Sequence, residues 1–188
     1  AALDHKRKQE ILPYLERLHD ELDIPVLYVS HSPDEVVRLA DHVVMLGDGR
    51  VMAAGELHAT MARLDLPTAF TEDAGVVIDG TVAAHDDHYH LTRLDFAGGA
   101  VWVQRQPVAL GRRLRFRIHA RDVSLADHQV EGTSIQNLLP ATVTEVVGAD
   151  SPAHVLVGLD AGGTALIARI TRRAAEQLVL RPGRRMWA

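Results

Sequence analysis

The sequence predicts an α/β segment followed by an all-β barrel built from two repeats, and three observations predict it. A short apolar, β-prone run, Val26-Leu27-Tyr28-Val29-Ser30, stops at His31 and turns straight into a helix start, Ser32-Pro33-Asp34-Glu35. Before it, Ile11, Leu12, Leu15, Leu18 and Leu22 recur at the spacing of one helix face. Beyond residue 76 the texture changes to short strands punctuated by Gly, Asp and His, and the pattern occurs twice. With 188 residues the chain has room for two domains, each with its own core.

Taken in order, residues 4–22 read as an amphipathic helix with Asp4 as N-cap and a bend at Pro13. Ile24-Pro25 make the turn into a buried strand over 26–30. Ser32 then serves as N-cap of a helix over 33–40. Pro33 takes the first helical position, where its missing N–H costs nothing, and Glu35 completes a capping box. His31 is thus held between a strand's carboxyl end and a helix N-terminus. There it can donate a hydrogen bond to a phosphate or be no more than a solvated turn residue. Residues 41–46 and 51–55 read as a hairpin whose Asp48-Gly49 step suits a tight turn, and a short helix over 56–61 closes the region.

Composition narrows the function classes. A net charge of −5 with scattered Lys and Arg offers no basic face, which argues against a nucleic-acid partner. Cysteine is absent, which removes a disulfide scaffold, a thiolate metal site and a cysteine nucleophile together and fits a reducing cytoplasm. No apolar run approaches the roughly 20 residues of a membrane span and the first residues lack a signal-peptide core, so a soluble protein without membrane insertion is expected. Ser30 and His31 make no hydrolase triad, because no G-x-S-x-G elbow occurs.

Tyr28-Val29-Ser30-His31-Ser32-Pro33-Asp34-Glu35, followed by Leu39-Ala40-Asp41-His42-Val43-Val44-Met45-Leu46 and Asp48-Gly49-Arg50-Val51, resembles the C-terminal part of ABC-transporter ATPase subunits. Ala2-Leu3-Asp4 resembles the D-loop of that family. The resemblance implies that His31 is the switch histidine contacting the ATP γ-phosphate, and that Asp4 belongs to the loop crossing a nucleotide-sandwich homodimer. No G-x-x-x-x-G-K-[ST] occurs anywhere in the chain, so the loop that cradles phosphates and places Mg²⁺ is missing. The chain is therefore expected to be a C-terminal piece of a longer subunit, inactive alone.

Residues 64–75, with Pro67, Thr68 and Asp73, read as a linker. In the β region, Thr81-Val82 leads to His90-Leu91-Thr92-Arg93-Leu94-Asp95-Phe96-Ala97-Gly98-Gly99 and on to Gly111-Arg112-Arg113. Thr142-Val143 leads likewise to His154-Val155-Leu156-Val157-Gly158-Leu159-Asp160-Ala161-Gly162-Gly163 and on to Gly183-Arg184-Arg185. Two copies of one β unit explain this, because a unit so small cannot bury its apolar face alone. The expected boundaries are 1–65 for the α/β part, 66–75 for the linker, and 76–130 and 131–188 for the two repeats of an OB-like barrel, with the last strand cut short.

Between the copies, Thr133, Ser134, Gln136 and Asn137 place hydroxyl and amide donors before a strand, as a tetrahedral oxyanion requires and as an ordinary polar turn also shows. Ser134-Ile135-Gln136-Asn137-Leu138-Leu139-Pro140-Ala141, with Ala168-Arg169-Ile170-Thr171 and Leu180-Arg181-Pro182-Gly183, resembles the Mop domain that binds molybdate. That resemblance implies Ser134, Gln136, Asn137 and Thr171 as oxyanion contacts. Some relatives carry arginine where Gln136 stands, and the late Lys-Ser pair of the family has no counterpart here.

Together the two resemblances imply the ATP-binding subunit of a molybdate or tungstate importer. ATP and Mg²⁺ would serve the whole subunit, a membrane permease would be the partner, and the place of work would be the cytoplasmic face of the bacterial inner membrane. Oxyanion bound to the second domain would inhibit transport by feedback. Two other readings remain: a stand-alone oxyanion-binding module, and an ATPase fragment of an importer for sulfate, iron or a sugar. Elsewhere, His85-Asp86-Asp87-His88-Tyr89-His90 carries metal-ligand residue types but falls on an expected hairpin turn. Arg113, Arg115 and Arg117 alternate with Leu114 and Phe116, as on a strand with one solvated basic face.

Overall fold

The computed structural model describes residues 5–21, 25–66 and 74–188. The chain divides into two compact units, Ala1–Leu57 and His58–Ala188. Among the described residues no helix is long and apolar enough to cross a membrane.

In the first unit, α1 (His5–Glu21) runs through Pro13 and packs against α2 (Pro33–Leu39). Asp4, the expected cap, lies outside the described residues, as does Leu22. Of the expected apolar stripe, Leu12 is buried, whereas Ile11 and Leu18 are exposed. Arg38 on α2 donates from Nε to Glu16 on α1 at 2.5 Å. β1 (His42–Gly47) and β2 (Arg50–Glu56) pair as the expected antiparallel hairpin. Asp48 and Gly49 have φ of 49° and 73°, the two positive values that a twist-compatible two-residue turn demands. α3 (Leu57–Met61), all but its first residue in the second unit, starts one residue later than expected, because Glu56 still pairs with His42 in the hairpin.

Two expectations for this unit fail. Residues 26–30 form no strand, and their apolar side chains are open to solvent, Leu27 at 93% and Val29 at 88%. A run apolar on both faces suits a strand flanked by neighbours on each side. Among the described residues none pairs with it, so its β-propensity has no ladder to join. The capping box is also absent: Ser32 occupies the N-cap position with no side-chain cap hydrogen bond.

The second unit holds two four-stranded antiparallel sheets. One is ordered β6-β3-β4-β5, from β3 (Gly75–Asp86), β4 (Leu91–Phe96), β5 (Gly99–Gln104) and β6 (Arg113–His119). The other is ordered β10-β7-β8-β9, from β7 (Pro140–Gly148), β8 (His154–Ala161), β9 (Thr164–Thr171) and β10 (Arg185–Trp187), with α4 (Arg172–Gln177) between β9 and β10. In each sheet the first, second, third and fourth strands take the same relative places. Each also carries a register shift at the same point, between Val82 and Ala84 in β3 and between Val143 and Glu145 in β7. There Val82 N–H donates to Arg112 O and Val82 O accepts from Gly111 N–H, and Val143 makes the same pair with Arg184 and Gly183.

One apolar core joins the sheets, with Val76, Ile78, Val82, Leu94 and Val101 from the first and Val143, Leu156, Leu159, Leu166 and Ile167 from the second. The β4–β5 and β8–β9 turns meet closely. A Cβ on Gly98 would stand 2.5 Å from Ala161 O, and one on Gly162 would stand 3.2 Å from Ala97 O. The backbones can approach this far only without side chains. β10 has three residues where β6 has seven. Beyond it Ala188 exchanges backbone hydrogen bonds of 2.8 and 2.9 Å with Leu139.

The basic face expected on β6 is not freely solvated. Arg115 and Arg117 are half-buried, and Arg115 donates to its cross-strand partner Asp79 at 3.3 Å.

Candidate functional site

His31 sits on the bend between residues 25–30 and α2, exposed to solvent. Its position is set by its neighbours. Pro33 fixes the first helical φ, and Val36 N–H closes the first turn onto Ser32 O at 3.2 Å. Glu35, 6% exposed, faces back toward the preceding segment. Its Oε2 accepts the Tyr28 hydroxyl at 3.0 Å and the Ser30 hydroxyl in a shorter contact, and Ser30 Oγ in turn accepts the Ser32 N–H at 3.1 Å. A buried carboxylate is tolerable only with such donors. An exposed imidazole on a braced bend can donate to an anion brought to it from outside. Asp4, the other residue expected at a nucleotide, lies outside the described residues.

The second candidate, the segment before β7, lies along the edge strand of the first sheet. Asn137 Oδ1 accepts from Trp102 N–H at 2.7 Å and Asn137 Nδ2 donates to Trp102 O at 3.0 Å. One side-chain amide thus takes the place of a ladder partner for β5, and Asn137 is committed to holding the segment there. Ser134 and Gln136 are exposed, and Thr133 Oγ1 accepts from Ile135 N–H at 3.2 Å in a local turn. Gln136 borders a cavity of about 300 Å³ with Asp86, Tyr89, Leu91 and Trp102. Thr171 stands at the end of β9 as the N-cap of α4, where Oγ1 accepts from Ala174 N–H at 3.2 Å and its own proton remains to be donated. The structure therefore brings Gln136 and Asn137 together beside β5, and Ser134 stands exposed three residues before Asn137. Among the described residues, no hydrogen bond joins Thr171 to them.

Sequence reasoning passed over a second, larger cavity of about 350 Å³ lined by His58, Val76, Asp79, Phe96 and Thr164. At its rim His58 Nε2 lies 3.2 Å from Asp79, which also receives Arg115. In the His85–His90 stretch, residues 87–90 form the turn, and both ring nitrogens of His85 are engaged, Nδ1 with Thr92 Oγ1 at 3.0 Å and Nε2 with Val108 O at 2.9 Å. That histidine pins β3 and β4 to the loop before β6. Among the described residues no group of three His, Asp or Glu could hold a metal ion.

Residues 133–188 match the TOBE domain. The whole chain is similar to the C-terminal part of the ATP-binding subunits of molybdenum importers. It is 73% identical over 188 residues to the molybdenum import ATP-binding protein ModC 1 of Azotobacter vinelandii, covering 100% of this chain and 52% of that protein. It is 60% identical over 190 residues to ModC of Pseudomonas aeruginosa, covering 100% of this chain and 53% of that one. The chain thus spans about half the length of the curated relatives it matches. Among solved structures, the cytoplasmic molybdate-binding protein ModG, in a form with molybdate bound, aligns with a TM-score of 0.50 and 25% identity over 59% of this chain and 86% of that one.

Proposed function

We propose that this chain is the C-terminal part of the ATP-binding subunit of a molybdate importer, with the end of an ABC ATPase domain over 1–65, a linker over 66–75 and a duplicated oxyanion-binding regulatory domain over 76–188. The observation that carries the reading is 73% identity to one molybdenum import ATP-binding protein over all of this chain and 52% of that protein. The repeated strand order and the matching shifts at Val82 and Val143 support duplication with boundaries at 76–130 and 131–188.

In the whole subunit, two copies would sandwich ATP and Mg²⁺, His31 would hydrogen-bond the γ-phosphate, and Asp4 would lie in the loop crossing the dimer. The chain's own residues do not fit a complete ATP·Mg²⁺ site: no phosphate-cradling loop occurs in its sequence, and His31 stands exposed on its bend. Alone, it is inactive. The partner would be a membrane permease, approached from the cytoplasmic face of the inner membrane.

In the second domain Ser134, Gln136 and the Thr171 hydroxyl would donate to molybdate or tungstate. Asn137 would shape the segment through Trp102, and a second copy would complete the shell. Bound oxyanion would favour the inactive transporter, and by linkage the transporter's state would alter oxyanion affinity equally. The test is ATP hydrolysis by the intact importer. Molybdate should suppress it, Ser134→Ala and Thr171→Ala should weaken the suppression, and His31→Ala should abolish hydrolysis; hydrolysis indifferent to molybdate would refute the regulatory role.

A second reading, a self-contained oxyanion-binding module, is favoured by the self-contained core of the second unit and its likeness to ModG. Tungstate binding unaffected by ATP in the intact importer would select it.

A further inference from the structure

We infer that His85 is a protonation-sensitive latch on the loop joining β5 to β6: with the ring neutral the loop is pinned to β3 and β4, and with the ring protonated it is released. The loop, residues 105–112, forms no helix or strand. Its ends are fixed by the backbone, where Arg105 N–H donates to His90 O at 2.9 Å, and Gly111 N–H and Arg112 O bond to Val82. Its middle is held to the strands by side chains. Gln106 N–H donates to Thr92 Oγ1 at 2.9 Å, and Val108 O accepts from His85 Nε2 at 2.9 Å. All of these residues lie in the second unit, where residues 74–188 are described without a break.

The hydrogen positions follow from the partners. A carbonyl only accepts, so Nε2 carries the proton of the neutral ring and Nδ1 is left with a lone pair. Thr92 Oγ1, 3.0 Å from Nδ1, therefore donates to it and accepts from Gln106. Protonation gives Nδ1 a hydrogen that faces the Thr92 hydroxyl. The hydroxyl must then turn its own proton away, and Thr92 is 0% exposed, so no water takes it. A buried donor without an acceptor is costly, and giving up the bonds to the loop relieves it. Release uncovers Val108, which packs against the core. Once the loop is free the ring takes its proton at no such cost, so acid favours the released form. No carboxylate holds a proton on the ring, because Thr92 and Val108 take both of its nitrogens. Asp86 on β3 accepts from Tyr89 N–H, Asp87 in the turn pairs with Arg105 at 3.4 Å, and Arg93 on β4 pairs with Asp95 at 2.8 Å. His88, His90, Arg112 and Arg113 are exposed.

The test is amide hydrogen exchange on this chain between about pH 8 and about pH 5, the range over which imidazoles titrate, with protection corrected for the intrinsic exchange rate and the nitrogen chemical shifts of the His85 ring followed alongside. Protection of the Gln106 N–H should fall about tenfold or more across that range, in step with protonation of Nδ1. Val82 and its counterpart Val143, held backbone to backbone, should keep theirs. In His85→Gln, whose amide supplies a donor and an acceptor without titrating, protection at Gln106 should not depend on pH. Constant protection at Gln106 in the wild-type chain would overturn the latch, and so would an equal fall in His85→Gln or a fall where the ring does not titrate. If His85→Gln does not fold, the coincidence of ring titration and lost protection in the wild-type chain decides alone.

Discussion

Val26-Leu27-Tyr28-Val29 and Val155-Leu156-Val157 are close to the same sequence, yet Leu27 is 93% exposed and Leu156 is fully buried. The second run has β7 on one side and β9 on the other, with Leu156 opposite Val147 and Arg169. The first has no such neighbours among the described residues. β-propensity therefore states what a segment can join, and the partners decide whether it does.

The largest expected effect sharpens this contrast. Leu156→Ala should destabilise the second unit by about 2–5 kcal/mol, whereas Leu27→Ala should stay within about 0.5 kcal/mol. Calorimetric melting of both variants checks it, and equal losses would break the comparison.

Next comes the meeting of the two sheets. Gly98→Ala would drive a Cβ against Ala161 O and the Phe96 ring, at 2.5 and 2.7 Å, and should cost about 1–3 kcal/mol. Gly148 has open space around it, so Gly148→Ala should be neutral or stabilise by up to about 1 kcal/mol. Urea unfolding followed through Trp fluorescence separates them.

Asn137→Ala removes both hydrogen bonds to Trp102. Water can reach an edge strand, so the loss should be about 1 kcal/mol. Faster amide exchange at Trp102 is the specific sign; unchanged protection there would show that another group holds the edge.

The smallest effect is electrostatic. The Arg63 guanidinium, hydrogen-bonded to Asp65 at 2.6 and 2.9 Å, holds the Asp65 carboxyl below its ordinary range. A carboxylate whose folded pKa is depressed stabilises the fold above its unfolded pKa and loses that contribution as pH falls through the folded value. Asp65→Asn should therefore differ slightly from wild type near neutrality and converge with it in acid, and the pair's exposure keeps the difference small. Melting temperatures of both proteins across that range provide the check.

These contrasts also explain what could be read from residues alone. The Asp48-Gly49 turn and α1 were legible because their causes are local: a backbone needing positive φ twice, and an apolar stripe. The strands of the second unit were legible because each finds its partner within a hairpin or elsewhere in its own repeat. The 26–30 run was misread because its burial depends on neighbours that the segment itself does not encode. The capping box failed for a related reason. Glu35 suits the N3 position, but its Oε2 accepts the hydroxyls of Tyr28 and Ser30, and the Ser32 N–H that a box would use donates to Ser30 Oγ. Asn137 was noticed as a donor, while its actual engagement, with a backbone 35 residues away in sequence, left no local trace.

The central claim is that the second domain binds a tetrahedral oxyanion of molybdate size. Calorimetric titration of this chain with molybdate, with the smaller sulfate as control, tests it most directly. Saturable binding of molybdate that Ser134→Ala weakens, with no heat from sulfate, is the result predicted. No binding of molybdate, or equal binding of both anions, would contradict it.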